Sequence, residues 1–144
     1  METRVLRLRR VGVIPIIAHV ERGASVRRCV ESLEPLLAAG ALCQMTLSSL
    51  TDAVPPDVRR TAEALLTRNL THVVGSGAHG ALAGSPAIAA GLRRAELLIG
   101  SQRLREMTVE TPEAVVRGAA VNTPPVLAAA RALAGGFWSK QECG

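Results

Sequence analysis

A short apolar run, Ile14-Pro15-Ile16-Ile17-Ala18, ends abruptly in His19, Glu21 and Arg22. An imidazole and a carboxylate can ligate a metal ion, and a guanidinium fork can hold two phosphate oxygens at once. The run is wide enough for one buried strand, and parallel sheets covered on both faces use continuous apolar strands of this kind. In α/β barrels the reactive side chains stand just past the carboxyl ends of such strands. His19, Glu21 and Arg22 therefore stand where a metal ligand and a phosphate clamp would be useful. A buried strand followed by an ordinary polar loop fits the same residues.

Two further runs end in groups of interest. Ala41-Leu42-Cys43-Gln44-Met45-Thr46-Leu47 leads to Ser48 and Ser49, and Thr71-His72-Val73-Val74-Gly75-Ser76 leads through Gly77 and Ala78 to His79. The hydroxyls of Ser49 and Ser76 are candidate supporting groups. Ser48 and Ser49 could shape a phosphate pocket or simply make a turn. His72 precedes its strand, the wrong end for a barrel site, so a structural role is expected. Cys29 and Cys43 read as helix and strand core, since nothing nearby suggests a lowered thiol pKa.

Strands and helices must position these groups. Residues 2–11 read as a helix with Val5, Leu8 and Val11 on one side, ended by Gly12, and a strand over 13–18 follows. Ser25 is a candidate N-cap for a helix carrying Val26, Val30 and Leu33, with Pro35 kinking or restarting it before Leu36 and Leu37. The second strand covers 41–47, a helix runs from Val54-Pro55-Pro56-Asp57 to about Asn69, and the third strand covers 71–76. Helices over about 86–98, 101–108 and 112–117 come next. Pro124-Pro125 opens a last helix that Gly135-Gly136 ends, leaving Phe137 and Trp138 to anchor a tail. Strands alternating with helices imply an α/β fold with parallel pairing and right-handed crossovers. Three strands are a thin sheet, since most have four to six, so a part of a larger barrel or layered sheet is expected.

The totals exclude several classes. A chain of 144 residues that is 48% hydrophobic can bury a real core and is not disordered. No apolar run reaches the roughly 18 residues that span a membrane, and the charged N-terminus is not a signal peptide. Three cysteines, Cys29, Cys43 and Cys143, are an odd number without metal-ligand spacing, which suits a reducing cytoplasm. The excess of 17 basic over 12 acidic residues is scattered arginine, with no Tyr, one Phe and one Trp to stack on bases. A solvated helix face bearing Arg4, Arg7, Arg9 and Arg10 accounts for it better than nucleic acid does.

The first strand, Gly12-Val13-Ile14-Pro15-Ile16-Ile17-Ala18-His19-Val20-Glu21-Arg22, resembles the G-x-I-P-I-I-A-H-P-E-R segment of the bacterial protein-tyrosine phosphatases of the PHP (polymerase and histidinol phosphatase) superfamily, linked to capsule and exopolysaccharide synthesis. The likeness continues in register. Leu36-Leu37 and residues 40–50 are similar to L-V-x-x-G-A-L-x-Q-V-T-A-G-S-L. Residues 62–79 are similar to A-x-x-L-L-x-x-G-L-V-H-F-V-A-S-D-A-H, and residues 111–121 to N-P-x-x-I-L-x-G-x-x-V. The resemblance covers about residues 4–121.

It implies that residues 1–121 form the second half of a distorted (β/α)7 barrel; residues 122–144 lie outside the resemblance and read as a helix and tail. By the same resemblance, His19 and His79 match metal ligands, Arg22 matches the arginine near the phosphate, and Glu21 fits a supporting hydrogen-bond role. The implied cofactor is manganese, and the implied substrate is a phosphotyrosine protein such as a bacterial tyrosine kinase. Three departures weigh against activity. The family's opening H-x-H half has no counterpart in these residues, the Asp of S-D-A-H is Gly77, and the arginine five residues after the last His is Gly84. Val20 in place of the Pro of H-P-E-R is milder. The remaining donors suit one loosely held zinc or nickel ion, if any, better than a manganese cluster. Three expectations follow: an impaired metal-dependent phosphatase, a non-catalytic binding or structural remnant, or a half-barrel completed by a partner chain or by self-association.

Overall fold

The computed structural model describes residues 1–77 and 86–127. Three short strands, β1 (Ile16–Ile17), β2 (Leu42–Thr46) and β3 (Val73–Gly75), form a parallel sheet in that order. Ile16 pairs with Leu42, and Gln44 to Thr46 pair with Val73 to Gly75. The helices are α1 (Glu2–Arg10), α2 (Ala24–Arg28), α3 (Glu34–Ala38), α4 (Pro56–Thr67), α5 (Pro86–Arg105) and α6 (Thr111–Val116). The α/β class and parallel pairing expected from the alternating pattern are therefore present among the described residues. No helix there is long and apolar enough to cross a membrane.

Alternate residues of β2 face opposite ways, and this divides the molecule. Cys43 packs with Val5, Val30, Leu33, Leu65 and Leu70, while Met45 packs with Ala62, Leu66, Val74 and Met107. Both lie on the face covered by α4, whose Val58, Ala62, Leu65 and Leu66 form its buried stripe. The opposite face of β2 carries Leu42, Gln44 and Thr46. Helix α5 sits on the 3-10 turn Leu47–Leu50 that follows β2: a Cβ on Gly91 would lie 2.4 Å from the Leu47 carbonyl oxygen. Only glycine permits that approach.

Several boundaries differ from those the sequence predicts. The strand expected over 13–18 shrinks to two residues, because the Val13 N–H caps α1 on the Leu8 carbonyl and Pro15 has no N–H to give. On α1 only Val5 is buried, and Val11 is 73% exposed. Ser25 is not an N-cap, since α2 already begins at Ala24 behind Gly23. The predicted helix breaks at extended Cys29, continues as a 3-10 turn over Val30–Leu33, and restarts as α3 with Pro35 in its first turn. The two helices expected on either side of residue 99 run as α5 with non-helical backbone at Gly100, followed by a π-helical turn over Glu106–Glu110. Pro124 to Leu127 do not begin a helix. Leu127 instead exchanges hydrogen bonds with Arg68, and Asn69 donates to the Pro125 carbonyl. The rest of that predicted helix, with Phe137 and Trp138, lies outside the described residues.

His72 has the structural place expected of it. Its backbone N–H donates to the Cys43 carbonyl at 2.8 Å, and its Nδ1 accepts the Cys43 N–H at 3.2 Å. Burial pushes this imidazole down to about 4, and the Arg103 guanidinium acts in the same direction. The folded protein therefore holds His72 neutral where the unfolded chain already binds a proton. Stability from this group is fully present above about pH 6.5 and is lost as pH falls toward about 4, by on the order of 3 kcal/mol at most. Denaturant unfolding across that window should show the loss, and His72→Asn, which keeps an acceptor but cannot titrate, should flatten it. An unchanged pH dependence in His72→Asn would contradict the assignment.

Candidate functional site

Parallel strands bring their carboxyl ends to one edge, and the candidate residues gather there. His19 follows β1 by two residues, Thr46 ends β2, Ser49 lies in the turn beyond it, and Ser76 and Gly77 follow β3. Residues Val20–Arg22 make a 3-10 turn closed by the Arg22 N–H on the His19 carbonyl at 3.0 Å. Buried Val20 anchors this turn in the core. The two side chains after the anchor, Glu21 and Arg22, thus have fixed directions relative to the sheet.

Glu21 is the centre of the arrangement. Its side chain is fully buried, and its Oε1 accepts the Thr46 N–H at 3.2 Å and the Ser49 hydroxyl at 2.8 Å. Its Oε2 is buried without a partner among the described residues. Arg22 approaches only to ion-pair range, with Nε 3.9 Å from Oε1, and its side chain is 56% exposed. The guanidinium is consequently accessible to an external anion, as a phosphate clamp requires. Ser49 is fully buried on Glu21, so its hydroxyl supports the carboxylate and does not line a phosphate pocket.

His19 adopts a left-handed backbone, φ 54° and ψ 39°, a conformation that residues with a Cβ rarely take without outside support. That support comes from β2. Gln44 Oε1 accepts the His19 N–H at 3.2 Å, and Thr46 Oγ1 lies 2.9 Å from the ring Nδ1. The Gln44 side chain lies across Gly75, where a Cβ would come within 3.0 Å of its Nε2. Gln44 and Thr46 are residues that motif reasoning passed over. Their signal is legible in retrospect: they are the only polar residues in the run 41–47, and their spacing of two puts them on one face.

The residues described do not fit a metal cluster. No group of three or more His, Cys, Asp or Glu side chains among them could hold a metal ion. Gly77 stands where the resembled pattern has aspartate, with φ +66°, and a Cβ on this backbone would lie 2.1 Å from Thr46 Cγ2. A carboxylate cannot be placed there without moving the backbone or Thr46. His79 and Gly84 lie outside the described residues. Cys43 offers no alternative nucleophile, since burial pushes its thiol up to about 12.

The Glu21 bonds predict a measurable dependence. Glu21→Ala leaves the Thr46 N–H and the Ser49 hydroxyl buried without an acceptor, at about 1–3 kcal/mol for each buried unsatisfied group. Urea unfolding should show a large stability loss for Glu21→Ala and a smaller one for Glu21→Gln, whose amide oxygen still accepts. Equal, small losses would mean that the turn is held by Val20 alone.

This geometry has known relatives. The family model described as capsular polysaccharide synthesis, CpsB/CapC, matches residues 1–117. CapC of Staphylococcus aureus, named a tyrosine-protein phosphatase, is 38% identical over 72 residues, which are 50% of this chain and 28% of that protein. YwqE of Bacillus subtilis (strain 168), a tyrosine-protein phosphatase by name, is 37% identical over 68 residues, 47% of this chain and 27% of its own length. A solved structure from work on YwqE from Bacillus subtilis and CpsB from Streptococcus pneumoniae, described as metal-dependent tyrosine phosphatases, matches with a TM-score of 0.79 and 28% identity. That match covers 90% of this chain and 52% of the other, so the chain spans about half the length of the solved relative. By the match over residues 1–117, the chain belongs to the CpsB/CapC family of capsular polysaccharide synthesis.

Proposed function

We propose that this chain carries part of a metal-dependent phosphotyrosine phosphatase site and that, as an isolated chain, it is catalytically impaired. The sheet would be one section of a distorted (β/α)7 barrel formed by residues 1–121, with 122–144 appended. The names of the relatives support phosphotyrosine as the substrate class. In capsule or exopolysaccharide synthesis this would be a tyrosine-phosphorylated protein such as a bacterial kinase, met in the cytoplasm.

The observation that carries the impairment is Gly77 packed on Thr46. Hard divalent ions such as manganese need several oxygen donors, and this position supplies none. Arg22 would hold two phosphate oxygens, Glu21 would fix the turn that presents it, and His19 and His79 would remain as ligand positions. Two histidines suit a single zinc or nickel ion better than a manganese cluster. Binding would therefore outlast turnover in this chain.

A second reading has its own observation. The outer edge of β1 is unpaired among the described residues, and Ile14 beside it and Ile16, 39% exposed, leave apolar surface open. Such edges accept further strands. A completing half, from a partner chain or a second copy, could supply the donors that are missing here.

Phosphotyrosine hydrolysis and binding by the purified chain in manganese buffer test the first reading. The expected result is no turnover above the metal-containing buffer, with phosphotyrosine perturbing the NMR signals of residues 19–22 and losing that effect in Arg22→Ala. Turnover that falls when His19 or Arg22 becomes Ala would overturn the impairment.

A further inference from the structure

We propose that the cleft at the amino end of the sheet is a second binding site, for a small carboxylate with an apolar body. It lies at the opposite end of the strands from His19 and Arg22, so it stands apart from the phosphatase reading.

Three observations converge. The first is a preformed apolar wall around a cleft of about 530 Å3, within the range of small-molecule sites. Ile14 leads into β1, Leu42 opens β2, Leu37 belongs to α3, and the segment carrying Val121 and Pro125 lines the cleft with them. That segment is pinned, since Arg68 and Leu127 exchange hydrogen bonds and the Asn69 amide donates to the Pro125 carbonyl. A wall fixed in advance lowers the cost of binding.

The second is a buried donor. His72, just before β3, is 4% exposed and lines the cleft. Its Nδ1 accepts the Cys43 backbone N–H, which can only donate, so the neutral ring carries its hydrogen on Nε2. Nε2 has no partner among the described residues and is not sealed from solvent, and the cleft is the space beside it. An oxygen acceptor that displaces water from the cleft can take this hydrogen.

The third is positive charge without a counterion. Arg9 lies along Gly40, where φ is +90° and a Cβ would come within 2.8 Å of the arginine Nε. Its guanidinium borders the cleft and has no acidic partner among the described residues. Glu34, the only carboxylate among the described lining residues, is answered by Arg68 at 3.3 Å. Arg103, whose Nε and Nη2 lack partners among the described residues, adds to the positive field at the His72 ring. An anionic head on a hydrocarbon body complements this cleft, whereas a cation is repelled and a neutral ligand forgoes the charge contact.

Amide NMR spectra of the labelled full chain, titrated with hydrocinnamate and with its alcohol and amine analogues, test this. The expected result is saturable shifts at Leu42, His72 and Val121, unmoved signals at residues 19–22, and a Kd of about 1 mM or tighter. The alcohol and the amine should each bind about tenfold more weakly than the carboxylate, and Arg9→Gln should weaken carboxylate binding by about tenfold. Arg9 is exposed on α1, so the variant should fold, and its own spectrum checks this. Shifts that are absent, or confined to residues 19–22, would overturn the proposal. Equal binding of the three analogues would do the same, as would a folded Arg9→Gln chain that binds like wild type. Failure of the phosphatase reading would look different: no phosphotyrosine effect at residues 19–22, with hydrocinnamate binding intact.

Discussion

The carboxyl edge of this sheet depends on one buried carboxylate. β1 contributes only two residues to the sheet, too few to hold the loop that follows it. Glu21 makes up the deficit by accepting one hydrogen bond from the last residue of β2 and one from the turn beyond it. Burying a carboxylate is costly unless donors converge on it, so the turn, Thr46 and Ser49 must keep their relative positions for the fold to be favourable. The same constraint carries Arg22 to the surface and His19 to the strand end. Stability and site geometry are here one set of bonds.

That coupling fixes the shape of the edge without calling on a metal. The grips on His19 and Glu21 come from β2, whose opposite face is locked in the core through Cys43 and Met45. The loop after β3 lacks a donor that the resembled pattern has, while those grips stay in place. Gly77 illustrates this: its left-handed backbone fits closely against the Thr46 methyl, while the side-chain oxygen that a metal would use is missing. The solved relative is matched with a TM-score of 0.79 even though the donor set described here falls short of a cluster. Fold similarity does not by itself carry catalytic competence.

Much of the fold was legible because apolar runs and breakers speak locally. Leu42 to Thr46 and Pro56 to Thr67 fall close to where periodicity puts them, and Pro35 restarts a helix as its missing N–H requires. The failures have nonlocal causes. Val13 looks like strand but its N–H is taken by α1, and Val11 looks like core but faces solvent. Cys29 breaks a helix that nothing in its own neighbourhood forbids. At the site, the residue types of His19, Glu21 and Arg22 announced chemistry. The partnership of Gln44 and Thr46 with His19 did not, because it depends on which strand lies beside β1.

Among the described residues this edge presents an accessible arginine, a hydrogen-bonded histidine and too few donors for a metal cluster. Manganese titration of the purified full chain, followed by electron paramagnetic resonance, measures this most directly. Only free or singly, weakly bound manganese is expected. Two or more coupled manganese ions per chain, lost in His19→Ala, would contradict it.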